Sequence, residues 1–589
     1  IGSRGPVPVP VPRLRSQRRI VEVGRDDLAM DATQARALLD GARVAVSDVD
    51  VERLVTRTEG WPAGLYLAAL AMNAGSPHLA VASTFSGTDR FVAEYLRSEF
   101  LDRVSRADVL FLTRASILDR MCGSLCDETV GRTGSSRVLH RLEQRNLLVI
   151  PMDRDGEWFR FHHLFRDLLH AELLRREPEM VRELHLRAAS WCEASGLQEA
   201  AIAHAQRAGD VERVARLVLT LANPVWASGR LDTVLRWMHW FSDNELIEEQ
   251  PAVAVHGALI FALVGNAADA ERWAAAAQRT TSTGTLTDGN TMEGTVAYLR
   301  TLICRDGLEE MRQDAETALE GLSPTSPYRP AMLHAVGASH LLGGDADLAD
   351  GFFVRAVEEA TSTGAAPFIP LLFAERGIAA IGRGDWTSAE SLASQALEIM
   401  QPELDDYWTS ALPYAWAARV TAHRSDLNLA RDLVVRAARL RPVLTYALPV
   451  VSAQALLELA HAYSALGDPG GARAALRQMQ DVLYHRPWLG TLARQAAELT
   501  TDLERSRADS FGVSSLTTAE LRLLPLLPTH LTLAEISERL FVSRNTIKTQ
   551  AISIYHKLGV SSRSETVARL YDLGLAVEPD TPPPRRARR

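Results

Sequence analysis

The chain has 589 residues, 47% hydrophobic and 23% charged, with a net charge of −9; that length calls for several soluble domains, and the acidic balance excludes binding of polyanions over the whole surface. Four scattered cysteines (Cys122, Cys126, Cys192, Cys304) exclude a disulfide framework. No apolar run approaches the ~18 residues of a membrane span, so the expectation is a cytoplasmic protein with no membrane partner.

In chain order, residues 1 to about 25 read as irregular. The alternating run PVPVPVP opposes a helix, because proline lacks a donor and forces its predecessor to extend. The start, IGSRGPVPVPVPRLR, has no Met and reads as a domain entered in its middle. From Asp26 the pattern is helical almost throughout. DDLAMDATQARALLDG carries Asp31 as an N-cap and Gly41 as a stop. DVDVERLVTRTEGWPAGLYLAALAMNAG predicts two helices broken at EGWP. Cys122 and Cys126, four apart, fall on one helix face and read as buried small hydrophobes, since a metal would need more ligands nearby. SRVLHRLEQRNLLVIPMDRDGEWFRFHHLFRDLL predicts helix, strand LLVI, turn DRDG, strand WFRF and helix, the order of a winged helix.

The middle of the chain is periodic. Gly265-Asn266, Arg305-Asp306, Gly344-Asp345, Gly384-Asp385, Ser425-Asp426 and Gly467-Asp468 recur about every 40 residues, and alanine follows four later at Ala270, Ala349, Ala389, Ala430 and Ala472. This predicts two-helix units, with the pair making the tight turn and the alanine allowing close packing. Each unit hides its apolar face only against its neighbours, so the array is an α-solenoid. Such a surface suits a peptide or small-molecule effector; the alternative is a spacer. Trp226, Trp237, Trp240 and Trp273 cluster at its start and read as core.

After the linker ADSFGVSS, residues 516 to 576 predict four helices. Thr517 with Glu520, and Thr532 with Glu535, form capping boxes; Ser543 caps the third helix and Gly559 stops it. The two middle helices with their short turn are a helix-turn-helix. On the third helix Ile547, Ala551, Ile554 and Leu558 make a core stripe. Opposite lie Asn545, Lys548, Thr549, Ile552, Ser553 and His556, a face free of acid. An exposed Ile552 suits a thymine methyl, Lys548 a guanine or phosphate, and Asn545 an adenine. Ser543, Arg544 and Thr546 sit at the helix N-terminus, where free N–H groups favour a phosphate. Lys557, in the last turn, suits the helix dipole and a backbone phosphate. Residues 510–589 carry 11 Lys+Arg and 7 Asp+Glu, net +4, which leaves −13 for the rest. The tail PDTPPPRRARR is expected to be disordered and to add non-specific phosphate contact.

Leu516-Thr517-x-x-Glu520, Glu535-Ile536, Ser543-x-x-Thr546-Ile547-Lys548 and Lys557-Leu558-Gly559 resemble the LuxR-type helix-turn-helix family over about sixty residues, with Ile547 for Val and Gln550 for His as departures. The resemblance implies DNA contact by Lys548, a groove-facing Thr549, and a dimer contact around Val567 to Leu573. TEGWPAGLYLAAL is similar to a segment of the large ATP-dependent, maltose-activator-like LuxR regulators, which belong to the STAND class of signalling ATPases. That resemblance implies a nucleotide role for Arg4 as sensor arginine, for Gly60 and Pro62 in the Gly-x-Pro turn, and for His162 in FRFHHLFRDLL, with His163 as the alternative; ATP or ADP would be the cofactor of an intact form. A P-loop needs Gly-Lys-Ser/Thr, and the only lysines are Lys548 and Lys557, neither after Gly. The expectation is therefore no ATP hydrolysis by this polypeptide, and no other cofactor or metal.

The expected fold is mainly α. Residues 1–80 would be the remnant of a STAND nucleotide-binding domain, 81–180 a winged helix, 185–505 TPR-like repeats, 514–577 the LuxR-type domain and 578–589 the basic tail. The expected function is sequence-specific regulation of transcription, with self-association, an effector at the repeats and RNA polymerase as partners. A STAND signalling ATPase or a repeat scaffold is the alternative.

Overall fold

The computed structural model describes residues 11–21, 23–74, 85–279, 284–286, 288–400, 405, 407–505, 516–529, 531–540 and 542–572. Two compact units divide between Gly229 and Arg230. The helices Met180–Ala194, Gln198–Ala208 and Val211–Ala227 thus belong to the first unit, although their sequence continues into the repeats expected from residue 185.

In the first unit, Asp31 caps the helix Ala32–Gly41 by accepting from the Gln34 N–H (2.8 Å). EGWP separates the helices Asp48–Thr58 and Pro62–Asn73 as expected. The start of the chain departs from the irregular reading. A helix runs over Val11–Ser16, where Pro12 sits in the first described turn and its missing N–H costs no helical bond, while residues 1–10 lie outside the described residues; the helix Arg25–Leu28 begins where the helical pattern is expected. Cys122 also departs: it precedes the helix Gly123–Val130, so it does not share a helical face with buried Cys126. Strands Val149–Pro151 and Phe159–Phe161 pair antiparallel, Val149 opposite Phe161, between the helices Ser135–Gln144 and His163–Arg176. That is the expected winged-helix order.

The second unit holds the repeats. Pro251–Leu263 packs on Ala267–Gln278, Met292–Ile303 on Leu308–Gly321, Arg329–Gly343 on Ala346–Ser362, Ile369–Gly382 on Trp386–Ile399, Ala411–His423 on Leu427–Arg439, and Pro449–Ala465 on Pro469–His485. The joints follow the sequence pattern. Gly265, Gly344, Gly384, Ser425 and Gly467 have φ between 66° and 100°, and the next side chain, Asn266, Asp345, Asp385, Asp426 or Asp468, caps the second helix. The alanine four residues later is at most 1% exposed in all five. Arg305-Asp306 is the exception. Cys304 (φ 43°) is left-handed one residue before the pair, and Gly307 (φ 103°) takes the N-cap position one residue after its expected place, without a side-chain bond. Trp237 and Trp273 are core, whereas Trp240 is only partly covered.

Close helix approach depends on glycine facing an aromatic ring. A Cβ on Gly337 would stand 2.6 Å from Phe353, and one on Gly377 would enter the Trp416 ring. The far end of the array also meets its earlier turns. Arg486 Nε donates to the Ile303 carbonyl (3.1 Å), and the Thr491 N–H donates to the Leu342 carbonyl (3.0 Å).

Gly377→Ala is expected to destabilise the second unit by about 2–3 kcal/mol, through displacement of Trp416. Gly382→Ala, in the same helix but with open space at its Cβ, should instead be neutral or stabilising by up to ~1 kcal/mol. Urea unfolding of the two variants, followed by tryptophan fluorescence, checks the opposite signs.

Candidate nucleic-acid interface

The C-terminal segment folds as Thr518–Leu523 with a 3-10 turn Leu524–Leu526, then Leu533–Arg539, Arg544–Leu558 and Arg563–Asp572. Both capping boxes form, at Thr517/Glu520 and Thr532/Glu535. Ser543 caps the third helix by accepting from the Thr546 N–H (3.1 Å), and Gly559 ends it at φ 68°. Ile547, Ala551, Ile554 and Leu558 are buried with Leu523, Ile536 and Leu570. The opposite face is open: Arg544, Asn545, Lys548 and Thr549 are exposed, and Ile552 is 56% exposed. Among the described residues Lys548 has no hydrogen-bond or ion-pair partner. Thr549 Oγ1 donates back to the Asn545 carbonyl (3.0 Å).

Two residues expected on the DNA side are engaged elsewhere. Lys557 Nζ lies 2.7 and 3.0 Å from the Glu520 carboxylate, and Ser553 Oγ donates to the same carboxylate at 2.6 Å. Glu520 is 4% exposed. Burial alone would raise its pKa, but Lys557, Ser553 and the Thr517 N–H together hold it below the usual range. One carboxylate thus joins the start of the first helix to the end of the third. The sequence marks Glu520 only as half of a capping box, since its second task needs residues 33 and 37 positions away.

Two arginines escaped the sequence reading because each works by long-range contact with backbone carbonyls. Arg563 donates to the carbonyls of Leu527, Thr529 and Leu531 (2.8 Å each), fastening the fourth helix to the loop after the first. Arg522 donates to Gly265 (2.6 Å) and Pro442 (3.1 Å), fastening the domain to two repeat turns. Gly265 is tight at this junction, as a Cβ there would lie 2.6 Å from the Pro442 oxygen. Arg539 adds an ion pair to Asp232 at 3.3 Å. In the fourth helix Val567 is half-buried and Ala568 and Arg569 are exposed; residues beyond Asp572, including Leu573 and the basic tail, lie outside the described residues.

In the first unit the structure brings His162 to the Gly60-Trp61-Pro62 turn. Glu59 and Gly60 are both left-handed (φ 52° and 70°), and Pro62 starts the next helix. His162 is 2% exposed, donates from Nε2 to the Thr58 carbonyl (3.0 Å) and meets the Trp61 ring edge-on. Arg160 grips Glu59 through two bonds (2.7 and 2.9 Å), and the His163 N–H adds a third. Burial pushes the Glu59 carboxyl up, but Arg160 and His162 outweigh it and hold the pKa at about 2. Gly60 is tight against Met30: its carbonyl accepts from the Met30 N–H (2.8 Å), and a Cβ would stand 2.6 Å from the Met30 oxygen. The close approach that glycine permits at Gly60 is made to Met30 of the chain itself. Arg4 lies outside the described residues. Among those residues no cluster of three His, Cys, Asp or Glu side chains could hold a metal, and no helix is long and apolar enough to cross a membrane.

Comparison with known proteins agrees with this geometry. Residues 97–181 match the MalT winged helix domain, and residues 514–570 match the luxR family of bacterial regulatory proteins. The serine/threonine-protein kinase PknK of Mycobacterium tuberculosis is 36% identical over 211 residues, which are 36% of this chain and 19% of PknK. The HTH-type transcriptional regulator MalT of Yersinia enterocolitica is 32% identical over 222 residues, 37% of this chain and 24% of that protein. MalT of Vibrio campbellii is 26% identical over 261 residues, 43% of this chain and 28% of that protein. The matched stretches thus span roughly a fifth to just over a quarter of these relatives. A STAND protein with a tetratricopeptide repeat sensor from Pyrococcus horikoshii superposes with a TM-score of 0.35 at 13% identity, over 82% of this chain and 77% of that one. The chain carries a MalT-type winged-helix domain and a C-terminal LuxR-family helix-turn-helix domain.

Lys557→Ala should destabilise the C-terminal domain by about 2–3 kcal/mol, because it strands a buried carboxylate, while Lys548→Ala should stay within ~0.5 kcal/mol; local hydrogen exchange in residues 516–572 distinguishes them. Glu59→Gln should lower the stability of the first unit by about 2 kcal/mol at neutral pH. A depressed carboxylate stabilises above its unfolded pKa of 4.5 and loses this as pH falls towards about 2. The parent and Glu59→Gln melting curves should therefore converge near pH 2.

Proposed function

We propose that the chain is a transcriptional regulator that reads duplex DNA with the exposed face of the helix Arg544–Leu558. The observation that carries this reading is the pairing of an acid-free exposed face with a fully buried opposite stripe on one capped helix. Asn545, Lys548, Thr549 and Ile552 offer amide, ammonium, hydroxyl and methyl groups to base edges in the major groove. Arg544, the N–H groups of the first helical turn that Ser543 does not cap, and the hydroxyls of Ser543 and Thr546 take phosphates at the helix N-terminus. Ser553 and Lys557 serve this face indirectly, by holding the helix on Glu520. MalT is named an HTH-type transcriptional regulator, and that description is extended to this chain as a proposal.

One such module contacts a short half-site, so the regulator works as a dimer or larger assembly. The fourth helix, with Val567, Ala568 and Arg569, is the proposed contact. The repeats take up an effector, and RNA polymerase is the downstream partner. No catalytic residue is assigned, since neither Lys548 nor Lys557 can serve as a P-loop lysine. A signalling ATPase is the second reading, favoured by the contact of His162 with the Gly-Trp-Pro turn. Nucleotide turnover by the purified chain, lost in His162→Ala, would establish it over the first.

Gel mobility shifts on promoter fragments test the preferred reading. Lys548→Ala should cost about 1–3 kcal/mol on the specific site and relax sequence preference, whereas Arg544→Ala should weaken all sequences alike and reduce the salt slope by about one. Equal binding by Lys548→Ala and the parent protein would remove the assigned face.

A further inference from the structure

Inside the repeat unit a cavity of about 340 Å³ lies among the helices Arg329–Gly343, Ile369–Gly382, Pro449–Ala465 and Leu492–Arg505. That volume suits a small organic ligand. Much of its wall is apolar, from Leu342, Ile378, Leu457 and Leu492. Its polar lining comprises Arg383, Thr491, Gln495, Gln454 and Glu458; the last two, on one face of the helix Pro449–Ala465, are each 3% exposed.

Both present an acceptor with nothing to accept from. Gln454 Nε2 donates to Glu375 Oε2 (2.8 Å), which fixes the amide with Oε1 as its other end. Its Oε1 has no hydrogen-bond partner among the described residues. Glu458 Oε1 accepts from Arg419 (2.8 Å), and its Oε2 likewise has no partner. Buried polar atoms are seldom left in that state. What completes Gln454 Oε1 must donate, as must what completes Glu458 Oε2 in its ionised form.

The charges narrow the donor further. Glu375 and Glu458 are both buried, and Arg419 is the guanidinium bonded to Glu458. His334 Nε2 bonds the other oxygen of Glu375 (2.8 Å). His461 is kept neutral by burial, its pKa pushed down to about 3 beside Arg419. Arg383, also on the wall, is half-exposed and faces Asp347 at 3.8 Å. Burial pushes the Glu458 carboxyl up against the pull of Arg419, and a cation at Oε2 favours its ionised form.

We propose that this cavity binds a small organic ammonium ion, its N–H groups donating to Gln454 Oε1 and Glu458 Oε2 and its apolar body lying against Leu342, Ile378, Leu457 and Leu492. The assignment deepens, and rests on, the reading of the repeats as the effector-binding part of the protein. DNA binding reports separately on the C-terminal domain.

The test is calorimetric titration of the full chain with three probes of equal length: n-hexylamine, 1-hexanol and hexanoate. Hexylamine should bind, hexanol about ten- to hundredfold more weakly, and hexanoate not at all. Glu458→Gln should weaken hexylamine by at least about tenfold. Gly382→Leu projects a side chain from the cavity wall at a position where a Cβ meets no atom within 4 Å. It should abolish binding while the melting curve is retained, so the test does not hang on the buried carboxylate variant alone. No hexylamine binding by the parent chain, equal binding of hexanoate, or undiminished binding by Gly382→Leu would overturn the proposal. An unchanged mobility shift in the same preparations would show that the DNA reading survives that failure.

Discussion

At Gly384 the backbone enters the left-handed region (φ 78°), and one residue later Asp385 turns its side chain back to accept from the Ser388 N–H at 3.0 Å. Asn266, Asp345, Asp426 and Asp468 repeat this joint. It reverses the chain within two residues and satisfies a donor that the first helical turn leaves open. The second helix can then lie directly on the first, with alanine at the contact. Everything else in the repeat unit depends on that geometry. The glycine–aromatic contacts at Gly337 and Gly377 need it, as does the meeting of Arg486 with Ile303 and of Thr491 with Leu342. The cavity beside Gln454 and Glu458 exists only because successive inner helices line the same interior.

Buried carboxylates do a second kind of organising. Glu59 ties the Gly-Trp-Pro turn to Arg160 of the winged helix. Glu520 ties the first and third helices of the DNA-binding domain through Ser553 and Lys557. Removing a carboxylate from water is unfavourable, so each such group is stable only when its partners are correctly placed. The gain is positional. Glu520 fixes the rotation of the helix Arg544–Leu558 and so decides which of its side chains face outward. The two lysines of the chain divide on this basis: Lys557 closes the domain, and Lys548 remains in solvent on the proposed DNA face. Glu458 follows the same logic incompletely, with one oxygen matched to Arg419 and the other turned to a cavity.

Much of this was legible in the residues. Capping boxes, the Ser543 cap, the Gly559 stop and the core stripe Ile547–Ala551–Ile554–Leu558 are local or periodic features, and the structure carries all of them. The repeat joints were legible for the same reason, save at Arg305-Asp306, where Cys304 ends one helix and Gly307 begins the next, so the pair itself lies between them. The short helix Val11–Ser16 was missed because alternating prolines were weighed as breakers, although a proline in a first turn breaks nothing. The helical wheel puts Ser553 on the DNA side, and the helix dipole suggests a phosphate for Lys557 in the last turn. The wheel has no term for Glu520, 33 and 37 residues away.

The sequence by itself determined most of the helical segments and their caps, the apolar face of the third C-terminal helix, and the helix-turn-helix within residues 516–572. Those properties depend on interactions within a few residues, where chain connectivity already fixes the geometry. Tertiary structure alone decided which charged groups are spent on each other: Glu520 with Lys557, Glu59 with Arg160, Arg522 with the carbonyls of Gly265 and Pro442. It also decided where acceptors are left over, at Gln454 and Glu458. Desolvation and long-range pairing arise only once distant segments meet, and a linear pattern contains no measure of either.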